Sequence, residues 1–202
     1  MPSGRYSVWG RSGSVVGTED FRCAPGPAGW RYVSEIERDE PTSHRETVDV
    51  AVDAAWGIVR TRIGTGSHEI VLERGDGSLG GVRDGTRIEL PWSERMHLDY
   101  LSPCFNAITA QRLEGSEDIE VLYLEPVTLE PTTMGQRYEL VRREIVDTPA
   151  GRFEATRWTY TALPTGWTSD LWVADDVVVR YDRAFALIAY EPGTSGPIPV
   201  RS

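Results

Sequence analysis

Residues 94–113 read ERMHLDYLSPCFNAITAQRL, and the reading of this stretch decides the fold. Ser102 is a helix-capping residue type, and Pro103 suits the first helical position, where a missing N–H costs nothing. Phe105, Ile108 and Arg112 follow at three- and four-residue spacing, so they share one face, with Thr109 beside them. The stretch predicts a short helix with its apolar face turned to a sheet. Two readings of that face stay open: the lid of a hydrophobic core, or a wall that touches a ligand.

Outward from this stretch the chain reads as strands and turns. Residues 5–10, 14–23 and 30–38 carry β-propensity around Gly/Ser and Pro/Gly turns, with Trp30, Tyr32, Ser34 and Ile36 on one face. Residues 39–44 are a polar turn with Pro41. Residues 47–63 form a long extended run with a bulge expected near 53–57. Residues 68–74 and 83–90 are strands near the hairpin dipeptides Asp76-Gly77 and Asp84-Gly85. Residues 118–129 are almost continuously apolar and predict a central strand covered on both faces, with Pro126 near its end. Five further strand segments lie within 136–190. About ten strands with hairpin-length loops and no βαβ alternation predict a mostly β fold: a curled antiparallel half-barrel with a short helix across its concave face. Residues 1–202 are read as a single domain, with 190–202 as a flexible tail.

Composition bounds the function. The 202 residues carry a formal net charge of −10, and all 21 basic residues are Arg. An acidic chain disfavours nucleic acid and anionic membrane surfaces, both of which call for a basic face. No apolar run approaches a membrane span, and the first residues, MPSGRYSVWG, show no apolar signal-peptide region, so a cytoplasmic protein is expected. Cys23 and Cys104 read as free thiols, with a single bridge between them as the open alternative. They and His44, His68 and His97 lack metal-ligand spacing, so no metal is assigned. No nucleophile elbow, phosphate loop or HExxH motif occurs, and no cofactor is assigned.

The central stretch also carries a resemblance. Residues 96–113, MHLDYLSPCFNAITAQRL, resemble the signature of the bacterial family named for glycolipid binding, and 124–141, LEPVTLEPTTMGQRYELV, resemble its following segment. The matching positions are Asp99, Phe105, Asn106, Arg112, Gln136, Arg137 and Tyr138. Gln111 stands where a second Arg is common, and Cys104 where Pro is usual. Residues 148–190 are similar to a wider group with the half-barrel fold of the lipoprotein-localisation factors. The resemblance implies a vessel for a lipid-like or glycolipid-like amphiphile.

Candidate ligand-binding residues are Asp99, Tyr100, Phe105, Asn106, Thr109 and Arg112 from the central stretch, with Trp158 and Trp172 expected to point into the hollow. Asp99 and Arg112 are candidates for a partly buried ion pair. The alternative function is a cofactor-free enzyme that shapes an apolar intermediate in the same cavity, with His97, Asp99, Tyr100 and Arg112 as its polar groups. A third reading is an interaction module that uses the open edge of the sheet.

Overall fold

The computed structural model describes residues 1–10, 12–40 and 42–200. Pro41, in the predicted polar turn, and the tail residues 201–202 lie outside the described residues. The chain forms β1 Ser3–Trp9, β2 Val15–Gly26, β3 Gly29–Arg38, β4 His44–Asp53, β5 Ile58–Gly64, β6 Glu69–Arg74, β7 Ser78–Arg83, β8 Thr86–Pro91 and β9 His97–Asp99. Helix α1 Pro103–Arg112 follows, and then β10 Glu117–Leu124, β11 Pro131–Thr148, β12 Gly151–Ala162, β13 Trp167–Ala174, β14 Val177–Tyr181 and β15 Phe185–Glu191.

All of these strands join one sheet in the order β8-β7-β6-β5-β4-β3-β2-β1-β15-β14-β13-β12-β11-β10-β9. The chain therefore starts mid-sheet, meanders out to one edge at β8, crosses to the far edge, and meanders back until β15 pairs with β1. Every pairing is antiparallel except β9 with β10, whose connection is α1. That parallel crossover lays the helix over the inner side of the sheet, where it packs on β14.

The mostly β half-barrel with one short helix is as the sequence predicts, but there are fifteen strands where about ten are expected. The run 47–63 is two strands, not one bulged strand. Residues 54–57 make a tight hairpin, closed by Asp53 N–H donating to Gly57 O and by Trp56 at φ 62°. Residues 118–129 divide into β10 and a loop, and β10 lies next to the edge rather than at the centre. β7 escapes a periodicity reading because Gly80 and Gly81 interrupt its alternation.

Period-2 alternation places Tyr6, Glu19 and Ile36 opposite one another on the inner face, while Arg5 and Asp20 pair on the outer face. Among the described residues the two edges are not hydrogen-bonded together, but the loop 125–130 spans toward the first half of the sheet. Arg83 Nη1 pairs with Glu130 Oε2 at 2.8 Å, Arg83 Nη2 donates to Thr128 O at 2.9 Å, and Thr65 Oγ1 donates to Val127 O at 2.8 Å. Leu129 is fully buried in this seam. Residues 103–109 of α1 are all buried, so the helix fills the concave side instead of covering it with one face.

Candidate functional site

The inner face is lined by a continuous belt of rings. Trp56, Trp30, Tyr32, Phe21, Tyr6, Phe185, Tyr181, Tyr160, Tyr138 and Trp158 follow one another with centroids 5.0 to 6.3 Å apart. Alternation on β1–β3 and β11–β15 aims these rings inward, where offset and edge-on packing each add to their burial.

Two buried polar nodes hold α1 against the belt. In the first, the Arg38 guanidinium lies 2.7 Å from Glu46 Oε1 and also donates to Leu101 O at 2.7 Å. Tyr100 OH donates to Glu46 Oε2 at 2.6 Å. Ser102 leaves the helix uncapped by its side chain and donates instead to Glu19 Oε1 at 2.6 Å, beside Tyr32 OH at 2.9 Å. Among the described residues Glu19 Oε2 has no hydrogen-bond partner, and Ser34 lies near without reaching it. Burial pushes the Glu19 carboxyl above the usual range, opposed by the Ser102, Ser34 and Tyr32 hydroxyls and by Arg38.

In the second node, Gln136 Nε2 donates to Asp99 Oδ2 at 2.5 Å and Asn106 Nδ2 donates to Tyr138 OH at 2.9 Å. Burial pushes the Asp99 carboxyl up to about 6, against the Gln136 and Tyr100 N–H hydrogen bonds. His97 Nδ1 lies 3.2 Å from Thr109 Oγ1, and burial with the Arg112 charge lowers that imidazole to about 3, so it is neutral.

The predicted residues are thus distributed over several places. Tyr100 and Phe105 meet edge-on at the first node; Asp99, Asn106 and Trp158 gather around Gln136 and Tyr138; Thr109 faces His97. The expected Asp99–Arg112 ion pair does not form. Arg112 sits at the helix C-terminus and donates to Met96 O at 2.7 Å and to Glu94 O, so its guanidinium caps the preceding loop while Asp99 faces β11. Trp172 does not point into the hollow. It alternates with Leu171, which faces Trp158, so its ring lies on the outer face between Arg157 and Arg180, 5.3 and 4.9 Å away, with Nε1 donating to Glu144 Oε1 at 2.8 Å.

That outer face carries a cleft of about 920 Å³ between β12–β15, the end of β1 and the β11–β12 turn. Trp9 and Pro149 give it apolar surface; Arg157, Arg180, Arg183, Asp147, Asp170 and Asp182 give it polar surface of balanced charge. Its polar groups are fixed in place. Thr159 Oγ1 donates to Asp170 Oδ1 at 2.6 Å, Arg157 donates to Asp170 Oδ2, and Arg180 Nε donates to Asp182 Oδ1 at 2.6 Å. Burial raises the Asp170 carboxyl, but the Thr159 and Arg157 hydrogen bonds outweigh it and hold the group below the usual range. Trp9 is 40% exposed, with its indole N–H fixed on Ser7 Oγ at 3.0 Å. None of the predicted residues lines this cleft; Arg112 lines a smaller one of about 180 Å³ beside Trp92 and Arg74. A signal for the larger cleft existed in the alternation of Arg157, Thr159, Asp170 and Arg180 along neighbouring strands, but it became legible only with the register.

Among the described residues no His, Cys, Asp or Glu side chains gather into a group that could hold a metal, and no helix is long and apolar enough to cross a membrane. Both cysteines are free and buried.

Fold and sites together define an open, barrel-like antiparallel sheet wrapped on one helix. In structure the chain is similar to a DUF1089 family protein from Pseudomonas aeruginosa, with TM-score 0.59 and 17% identity over 83% of this chain and 91% of that one. It is also similar to a β-barrel-like protein of the domain of unknown function DUF1849 from Brucella abortus, with TM-score 0.57 and 10% identity over 94% and 96%. At these identities the likeness carries the fold alone. No family model and no curated protein matches the sequence.

Proposed function

We propose that the protein binds a small amphiphile with a neutral, hydroxyl-rich head, of the glycolipid-like kind that the sequence resemblance implies, and that the outer cleft is its seat. The observation that supports this is the lining itself. Three Arg and three Asp balance in charge, which disfavours a highly charged ligand, while their fixed donors and acceptors suit hydroxyl groups. An exposed Trp9 ring offers a flat face to the CH groups of a sugar, and Pro149 offers surface to an alkyl portion. The volume lies within the range of small-molecule sites. The concave side, by contrast, is filled by α1: Phe105, Asn106, Ile108 and Thr109 are all buried. A cytoplasmic setting is part of the proposal, and two free thiols fit a reducing compartment.

A cofactor-free enzyme is the second reading. One observation favours it: Asp99 titrates near 6 in a buried node, as a general base near neutral pH would.

Native mass spectrometry of protein purified without detergent tests the first reading. A retained neutral amphiphile, lost in Trp9→Ala, is the expected result. Protein that is always empty, and that takes up no octyl glucoside on titration, overturns it.

A further inference from the structure

Strand β8 is one free edge of the sheet, and its sequence there is TRIELP. The β7–β8 turn is Asp84-Gly85, with φ of 50° and 78°, a two-residue type I′ turn. In such a hairpin the flanking pair, Arg83 and Thr86, is hydrogen-bonded, and bonded and non-bonded pairs then alternate. Thr86, Ile88 and Leu90 therefore turn their backbone groups to β7. Arg87 and Glu89 turn theirs to the open edge. Pro91 comes next in that outward series and has no N–H to offer, which ends the available edge.

The side chains of Arg87 and Glu89 are both exposed, lie two residues apart on one face, and have no ion-pair partner among the described residues. Elsewhere on the sheet, charges on adjacent strands pair across the ladder, as in Arg5–Asp20, Arg45–Glu37, Arg60–Glu73 and Arg137–Asp118. The edge strand has no neighbour to pair with.

We propose that β8 pairs with β8 of a second copy of this chain, antiparallel about a two-fold axis at Ile88. In that register Arg87 of each copy lies opposite Glu89 of the other. The residues whose backbone groups point outward are then the same residues whose side chains are complementary. Each Arg87–Glu89 pair exchanges two main-chain hydrogen bonds, and each adds a cross-strand ion pair. Shifting the axis to residue 87 or 89 sets Arg against Arg or Glu against Glu, so charge selects the register. The contact is isologous and closes after two copies. It is also small, so the dimer is weak and concentration-dependent.

The test is sedimentation velocity at about physiological salt, from roughly 10 μM to 1 mM, a range that brackets weak association. Wild type is expected to move from monomer to dimer over this range. Arg87→Glu and Glu89→Arg should each weaken dimerisation at least about tenfold, because each sets like charges opposite one another. An equimolar mixture of the two variants should dimerise again, since one carries two acids and the other two bases; this rescue also shows that both fold. Glu89→Pro, which removes one outward N–H without touching the bonds to β7, should abolish pairing. A wild type that stays monomeric throughout overturns the proposal. So does a dimer that neither charge reversal weakens, or a mixture that shows no recovery.

Discussion

Arg38→Ala tests whether α1 is anchored by the buried polar node. Arg38 and Glu46 expose 7% and 1% of their side chains and meet at 2.7 Å. Removing the guanidinium leaves the Glu46 carboxylate buried with Tyr100 OH and His44 but without its cationic neighbour of fixed charge. It also leaves Leu101 O without its donor. Breaking one side of a buried pair costs about 3–5 kcal/mol, so a loss of about 4 kcal/mol is expected. For a chain of this length that lowers the melting temperature by roughly 8–16 °C. Arg31→Ala is the control: its bidentate pair with Asp49 is largely exposed, and its loss should cost less than about 1 kcal/mol. Replacing both partners, as Arg38→Met with Glu46→Leu, should cost clearly less than the sum of the single changes, because no unpaired charge remains. Urea unfolding of these variants, with Arg38→Met and Glu46→Leu measured singly beside the double change, supplies the numbers. If Arg38→Ala costs no more than Arg31→Ala, the node does not hold the helix and the reasoning fails.

Asp99 gives a pH prediction. Its folded value of about 6 lies above the ordinary range, so the folded state binds the extra proton; the favourable contribution is full below about pH 4 and is lost as pH rises through about 6. Asp99→Asn should therefore flatten the fall of stability between about pH 4 and 6 and be more stable than wild type at pH 8 by up to about 2 kcal/mol, measured by urea midpoints across that range. Cys23, pushed up to about 12 by burial, and the buried Cys104, whose thiol burial also raises, should give almost no reaction with an aromatic disulfide reagent at pH 8 until urea is added, when two thiols per chain appear. Trp172→Ala should remove the buried ring that two arginines cover and cost about 3–5 kcal/mol while leaving the melting response to octyl glucoside intact, since Trp172 does not line the cleft. A thermal melt with and without the detergent monomer checks both halves of that statement.

The helix was legible because Pro103 and the spacing of Phe105 and Ile108 are local signals, and those are what the structure uses. The role of Ser102 was not: a capping residue type reads the same whether its hydroxyl meets a backbone N–H or, as here, Glu19 on β2. Arg38 and Glu46 carry no such signal, since nothing local to β3 or β4 says that Tyr100 and Leu101 will land on them from beyond the far edge. Trp172 misled for a related reason. Its apolar neighbours conceal the alternation with Leu171, and the arginines that cover it come from other strands. The half-barrel itself followed from strand count and turn chemistry, but the pairing of β1 with β15, which brings Trp9 to the cleft beside Phe185 and Ala186, is a long-range contact with no local signature.

The seven tryptophans allow the claim about the cleft to be tested in one experiment. Each contributes one indole N–H resonance, and Trp9 lines the outer cleft while Trp30, Trp56 and Trp158 belong to the belt on the inner face. Octyl glucoside, added below its micelle concentration to ¹⁵N-labelled protein, should shift the Trp9 indole signal saturably and leave those of Trp30, Trp56 and Trp158 in place. Movement of Trp30, Trp56 or Trp158 with Trp9 unchanged would contradict the account and return the ligand to the space around α1.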